Sequence, residues 1–158
     1  MNTGDLIERN IKGKLLLFLS PLVLLTSMVW FTSDFTAQKL AYLFQIYLSL
    51  TLCFISGFLW SQSGLFKVAN LRYLGSIILL VTLSSGFLSI LLIPVYGLIM
   101  ILILLLGIRF LQLPDRIKTI FPLWFLQLVN KINVMICICI LLMLTYWLNP
   151  YSNPLSYF

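Results

Sequence analysis

The chain has 158 residues, of which 61% are hydrophobic and only 9% are charged. A soluble domain carries about 25% charged residues, so this composition excludes an ordinary water-soluble fold, and its apolar content excludes a disordered chain. The net charge of +6 comes from basic residues in short stretches between apolar runs. That pattern indicates orientation in a membrane rather than nucleic-acid binding. We therefore predict a single membrane domain over residues 1–158, with the lipid bilayer as its surroundings.

Two apolar runs follow a polar segment, residues 1–14, which is predicted to be cytoplasmic. The first run, 15–31, has 17 residues and no small-residue cleavage site after it. It is therefore predicted to be a retained transmembrane helix rather than a signal peptide. The second run, 40–60, has 21 uncharged residues. As a helix it would be about 31 Å long, which matches a hydrocarbon core of roughly 30 Å.

The longest uncharged stretch runs from Tyr73 to Ile108, over 36 residues. As one helix it would be about 54 Å long, far longer than a bilayer is thick. Pro94 lies near its midpoint, and proline disfavours helix at the residue before it. We therefore predict two spans, 73–92 and 94–111, with a tight turn near Leu92 to Tyr96. One shorter span plus a re-entrant segment is the alternative.

The last part of the chain is predicted to contain a loop, a final span and a tail. Residues 109–130 form a cytoplasmic or interfacial loop that includes Pro114 and Pro122. Proline is well placed in the first turn of a helix, so the final helix is predicted to begin between residues 122 and 131 and to end at 148. Residues 149–158 would be an external tail.

The basic residues predict the orientation of these five transmembrane helices. With five crossings, only Lys39 lies on the external side. The other nine lie on the side of the N-terminus: Arg9, Lys12, Lys14, Lys67, Arg72, Arg109, Arg116, Lys118 and Lys131. The positive-inside rule then places the N-terminus in the cytoplasm and the C-terminus outside. The predicted fold class is thus all-α, a polytopic bundle. Its tryptophans fall near the predicted membrane boundaries, as in an aromatic belt: Trp30, Trp60, Trp124 and Trp147.

The predicted spans lack the groups that membrane chemistry usually needs. Their hydrocarbon-embedded parts contain no Asp, Glu, Lys, Arg or His, and such groups are typical of pumps and proton-coupled carriers. A serine or cysteine nucleophile would need a neighbouring base, and the chain has no histidine. The sequence therefore predicts no enzyme, no catalytic residue, no cofactor and no metal site.

Small and weakly polar residues recur at helical spacing in two spans. They are Ser49, Cys53 and Gly57 in the second span, and Gly75, Thr82, Gly86 and Ser89 in the third. Small residues let membrane helices approach closely. They predict either internal packing of the bundle or a seam for a partner.

Two functions follow from these features. The first is a non-enzymatic structural, assembly or interaction protein, which self-associates or binds another membrane protein. The alternative is a passive transporter or channel component for small molecules or lipids. Its cavity would be lined by Gln45, Ser49, Thr82, Ser85 and Ser89.

Two short segments resemble a known family. They are Phe54-Ile-Ser-Gly-Phe-Leu-Trp60 and Pro122-Leu-Trp-Phe-Leu126. They are similar to segments of the domain-of-unknown-function 3429 family, which includes the transmembrane protein 69-like proteins. The matching residues are Gly57, Trp60, Asp115, Arg116, Pro122 and Trp124, whereas Ser56 and Leu59 stand where the family has glycine and histidine. The resemblance implies a small inner-membrane protein and no particular activity.

Overall fold

The computed structural model describes residues 3–67, 69–91, 94–110 and 121–149, and this part of the chain forms five α-helices without a strand. The helices are α1 (Thr3–Val29), α2 (Asp34–Phe66), α3 (Ala69–Leu91), α4 (Pro94–Phe110) and α5 (Leu123–Trp147). The all-α fold class is therefore confirmed.

Four of these helices are long and apolar enough to cross a membrane, by length and composition. Their apolar segments are Arg9–Val29, Asp34–Phe66, Ala69–Ser89 and Leu123–Trp147. The fifth helix, α4, is also apolar but shorter, and its 17 residues extend about 26 Å. The chain is thus a helical bundle with the proportions of a membrane-embedded protein. The number of crossings and their direction stay predictions.

The helices extend beyond the apolar runs that predict them. The first begins at Thr3, so residues of the polar N-terminal segment continue directly into the first run. The second begins at Asp34 and ends at Phe66, where Lys67 takes the left-handed conformation with a φ of 52°. Such a residue commonly ends a helix. Hydropathy marks the part of a helix that suits hydrocarbon, whereas the ends depend on local backbone geometry.

Prolines mark the starts of α4 and α5. Pro94 is the first residue of α4, and Pro122 is the N-cap of α5 with a φ of −63°. At these positions proline removes no helical hydrogen bond, because the first N–H groups of a helix have no partner within it. Helix α3 ends at Leu91, so the predicted hairpin turn falls on the adjoining residues, of which 92 and 93 lie outside the described part.

The helices form a ring in chain order, which α5 closes by packing against α1. The contact between α2 and α3 is the most extensive of the ring, and the contact between α1 and α5 is the least extensive. Large side chains from several helices fill the centre and are fully buried: Phe44, Leu48, Ile101, Ile140 and Met143. Many outward positions carry exposed Leu, Ile and Phe side chains, which suits contact with lipid.

Pro21 lies inside α1 without interrupting it. Because proline has no N–H, it cannot bond the carbonyl of Leu17. The hydroxyl of Ser20 donates to that carbonyl instead, at 2.8 Å. One residue further on, Tyr47 of α2 donates its hydroxyl to the carbonyl of Phe18 at 2.5 Å. The weakened turn of α1 is therefore stabilised in part by the neighbouring helix.

Candidate functional site

A polar junction joins α2, α3 and α4 inside the bundle. The side-chain amide of Gln45 in α2 donates through Nε2 to the hydroxyl of Ser89 in α3. The Ser89 hydroxyl in turn donates to the Ser85 carbonyl at 2.8 Å, and the Ser85 hydroxyl to the Thr82 carbonyl at 2.8 Å. Ser85 is 0% exposed and Gln45 only 6%. These polar groups are thus removed from lipid and bonded within the bundle.

Gly97 brings α4 against this junction. A Cβ atom at this glycine would lie 2.6 Å from the Ser85 carbonyl oxygen and 2.8 Å from Gln45 Nε2, and it would also clash with the Ser89 hydroxyl. Any larger residue would therefore have to separate α4 from α3. Gly97 was not among the residues that the sequence indicated, although a small residue one turn after the hairpin proline is a signal for such an approach.

A second contact joins α2 and α3 further toward the C-terminus of α2 and the N-terminus of α3. The Ser56 hydroxyl donates to the Gly75 carbonyl at 2.7 Å, and Trp60 Nε1 donates to the Ser76 hydroxyl at 3.2 Å. A Cβ at Gly75 would lie 2.7 Å from Trp60 Cδ1. The guanidinium of Arg72 lies over the Trp60 ring, 5.3 Å from its centroid. Trp60 therefore packs against α3 at Gly75 and Ser76, and it also contacts the basic side chain of Arg72.

A third polar contact joins α4 and α5. Asn133 Nδ2 donates to the backbone carbonyl of Leu105 at 3.1 Å, and Cys137 lies one turn further along α5 with its sulfur 4.0 Å from Asn133 Oδ1. Side-chain hydrogen bonds thus join α1 to α2 through Tyr47, α2 to α3 through Gln45, Ser56 and Trp60, and α4 to α5 through Asn133. Helix α4 approaches α3 closely at Gly97.

The small residues singled out in the sequence have different surroundings. In α3, Gly75, Thr82 and Ser89 lie on the inner side with α2. A Cβ at Gly86, on the same helix, would meet nothing within 4 Å.

The small residues of α2 lie toward its outer side. Ser49 and Cys53 are half-buried, and Gly57 is exposed. A Cβ at Gly57 or at Gly64 would meet nothing within 4 Å. The structure does not bring these small residues of α2 together with the small residues of α3.

The family-motif residues that the structure describes lie near the C-terminal end of α2 and at the N-terminal end of α5. Gly57 and Trp60 lie near the end of α2, Pro122 caps α5, and Trp124 lies in its first turn. Asp115 and Arg116 lie outside the described residues.

The four tryptophans differ in exposure. Trp30 is 45% exposed and Trp60 47%, and Trp124 is half-buried, as residues of an interfacial belt can be. Trp147 is only 1% exposed and packs edge-to-face on Tyr42, with ring centroids 5.7 Å apart. It therefore faces the inside of the bundle and not lipid.

Catalytic chemistry would need several reactive groups to converge. Within the described residues, no group of three or more His, Cys, Asp or Glu residues lies close enough together to hold a metal ion. The cysteines Cys53, Cys137 and Cys139 are free thiols. The buried hydroxyl of Tyr146 has no hydrogen-bond partner in the described part of the chain.

The class of protein that these observations define is a helical membrane bundle. Comparison of the chain with protein-family models, with curated proteins and with solved structures gives no match. Membership of the domain-of-unknown-function 3429 family therefore stays a prediction from the two short segments.

Proposed function

We propose that the chain is a multi-pass protein of a bacterial inner membrane that acts by binding another membrane protein or a second copy of itself, without catalysing a reaction. The observation that supports this function is the outward side of α2. Gly57 and Gly64 are exposed there, and a Cβ at either position would have open space around it. Glycine surfaces of this kind let the backbone of a second helix approach closely.

The polar groups inside the bundle support the same proposal, because they serve the chain's own fold. Gln45, Ser56 and Asn133 each donate to a group on another helix of the chain. The backbone of Gly97 lies against Ser85, in the region where the transport alternative requires a cavity. The outward glycines of α2 are therefore the better candidates for contact with another molecule.

A pair of glycine variants tests this proposal. Gly57→Leu would block close approach to α2, whereas Gly107→Leu changes an equally exposed and uncrowded glycine on α4. We expect the wild-type chain and Gly107→Leu to retain a stoichiometric partner, or to self-associate, in mild detergent. Gly57→Leu should lose that association while keeping the helical circular-dichroism signal. Pull-down measures the retained partner, and light scattering measures self-association.

The proposal fails if the wild-type chain is monomeric and retains no stoichiometric partner. It fails equally if Gly57→Leu associates as the wild type does.

We further propose five crossings with the N-terminus in the cytoplasm. The distribution of basic residues, nine against one, supports this orientation. Arg109 in the last turn of α4 suits an inner end for that helix. A reporter that is active only outside the cytoplasm should be active when fused after Phe158 and silent when inserted after Lys118. Activity at both positions would contradict the proposed topology.

A further inference from the structure

The polar junction of α2, α3 and α4 fixes the relative depth of these helices. The side chain of Gln45 donates to the hydroxyl of Ser89, and a Cβ at Gly97 would lie against both side chains. The three residues therefore lie at nearly the same depth. All three helices continue from the junction toward the end of the bundle that is proposed to be cytoplasmic, here called the inner end. Because each helical residue adds about 1.5 Å, positions on the three helices can be compared.

The basic residues near the inner end lie at different depths on α3 and α4. Arg72 of α3 lies 17 residues from Ser89, about 26 Å from the junction, and it contacts the ring of Trp60. Arg109 of α4 lies only 12 residues from Gly97, about 18 Å from the junction. Both arginines are exposed. The charge on α4 is therefore about 8 Å closer to the junction than the charge on α3.

Helix α5 has the same arrangement as α4. Its Asn133 donates to the carbonyl of Leu105, which lies eight residues from Gly97, about 12 Å from the junction. Lys131 lies two residues nearer the inner end than Asn133 and is exposed. It is therefore about 15 Å from the junction, again much closer than Arg72.

A second measure comes from the outer end of α5. Trp147 packs on Tyr42 of α2, which lies three residues before Gln45. Lys131 lies 16 residues from Trp147, about 24 Å from this contact, whereas Arg72 lies about 30 Å from the same level. Both measures thus place the cation of α5 at least about 6 Å further into the bundle than the cation of α3.

A flat bilayer does not place all of these charges at its surface. If the inner boundary of a hydrocarbon core of roughly 30 Å lies at Arg72, the outer boundary lies near Pro94, the first residue of α4. Arg109 and Lys131 then lie about 6 to 11 Å inside the hydrocarbon. An apolar span that is too short is accommodated when the bilayer thins, when flanking side chains snorkel, or when the helix associates.

We propose that the inner leaflet is thinned beside α4 and α5, so that lipid headgroups and water come several ångströms closer to the midplane there than beside α3. The proposal rests on the five crossings proposed above. Thinning and water defects bring intramembrane charges into contact with water. Snorkelling through a flat leaflet would instead require the side chains of both Arg109 and Lys131 to be almost fully extended, which costs rotamer freedom. The outer surface of α4 and α5 is thus a surface for a locally thin bilayer.

Depth measurements at a matched pair of positions test this proposal. Leu106 of α4 and Leu80 of α3 each lie nine residues from the junction, and both are exposed. Each is changed to cysteine in a full-length chain whose three cysteines are replaced by alanine, labelled with a nitroxide and reconstituted in dioleoyl phosphatidylcholine. The ratio of collisions with oxygen and with a water-soluble nickel chelate measures depth. We expect the label at Leu106→Cys to be about 5 to 8 Å closer to the headgroups, the offset of the basic residues. Equal depths would overturn the proposal, because the leaflet would then be flat.

Removal of the cations tests the cause of the thinning. In the variant Arg109→Leu with Lys131→Leu, the label at Leu106→Cys should move to the depth of the label at Leu80→Cys. The control Lys39→Leu removes a cation in the first turns of α2, where it packs on Phe35, and should change neither depth. If the label at Leu106→Cys stays shallow without the two cations, they do not thin the leaflet and the proposal is wrong.

A third label separates thinning from an error in the proposed crossings. Ile103 is exposed on α4 and lies six residues from Gly97, between the two boundaries. The nickel chelate should not reach a label at Ile103→Cys if α4 crosses the membrane. Free access there would overturn the crossing of α4 and, with it, this inference. Association through the outward side of α2 is a separate property, so Gly57→Leu should leave all label depths unchanged.

Discussion

The two sides of the bundle are held together in different ways. On the side of α2, α3 and α4, backbones approach closely at Gly75 and Gly97, and Gln45 and Ser56 donate hydrogen bonds from helix to helix. On the side of α1 and α5, the contact is the least extensive of the ring, and an apolar groove lies between the two helices. One side is a tight polar junction, and the other is an open seam.

This difference follows from the physics of helix association in lipid. Lipid tails are as apolar as leucine, so apolar side chains alone do not drive membrane helices together. Close packing at small residues and interhelical hydrogen bonds do. Both are present at the junction around Gly97. On the wall of the groove, the hydroxyl of Ser27 bonds its own helix, so it does not attach α1 to α5.

The largest expected effect comes from Gly97→Ala in the tight junction. Its Cβ would lie 2.6 Å from the backbone oxygen of Ser85, and a backbone atom cannot move aside as a side chain can. We expect a loss of about 2–3 kcal/mol in the free energy of unfolding, the upper part of the range for overpacking. Reversible unfolding in mixed micelles of a mild detergent and dodecyl sulfate measures it.

Gly107→Ala is the matched control, because a Cβ there would meet nothing within 4 Å. Replacing a helical glycine by alanine should stabilise it by about 0.5–1 kcal/mol. The two variants should therefore change stability in opposite directions. Equal effects would mean that α4 does not pack against α3 as the structure has it.

A smaller effect is expected from Gln45→Leu in the same junction. The substitution removes the hydrogen bond from α2 to Ser89, whose hydroxyl still donates to the Ser85 carbonyl. Interhelical hydrogen bonds in membranes are worth about 0.6 kcal/mol on average and at most about 1.7. We expect a loss of about 1 kcal/mol by the same unfolding measurement. Gln127→Leu, at an exposed position of α5, should change stability by less than about 0.5 kcal/mol. If both variants behave alike, the polar junction contributes nothing to stability.

The sequence allowed the helices to be predicted, because each apolar run and each proline acts locally. Pro94 and Pro122 mark the starts of α4 and α5, since proline suits the first turn of a helix. The ends of α2 could not be predicted from hydropathy, because Asp34 and Phe66 lie beyond the apolar run. Their positions depend on backbone conformation at Lys67 and on solvation outside the hydrocarbon.

The partners of individual residues were much less predictable, because they depend on how the helices rotate about their axes. Spacing alone groups Ser49, Cys53 and Gly57 on one face, yet it does not say whether that face points toward α3 or outward. Trp147 occurs near a helix end as a belt residue would, but rotation of α5 buries its side chain against Tyr42. The rotation of each helix, and therefore the partners of its residues, depends on three-dimensional packing, which the sequences of all the helices determine together.

The smallest effect is expected from Ile138→Ala in the open seam. This side chain is 52% exposed on the groove wall, so its removal creates no closed cavity, and we expect a change below about 0.5 kcal/mol in lipid-free detergent. Ile140→Ala, two residues away and 0% exposed, should cost about 2 kcal/mol, the lower end of the range for such a truncation. The difference in stability loss between these two α5 variants measures how open the contact between α1 and α5 is. If Ile138→Ala is as costly as Ile140→Ala, α1 and α5 are closed together in solution.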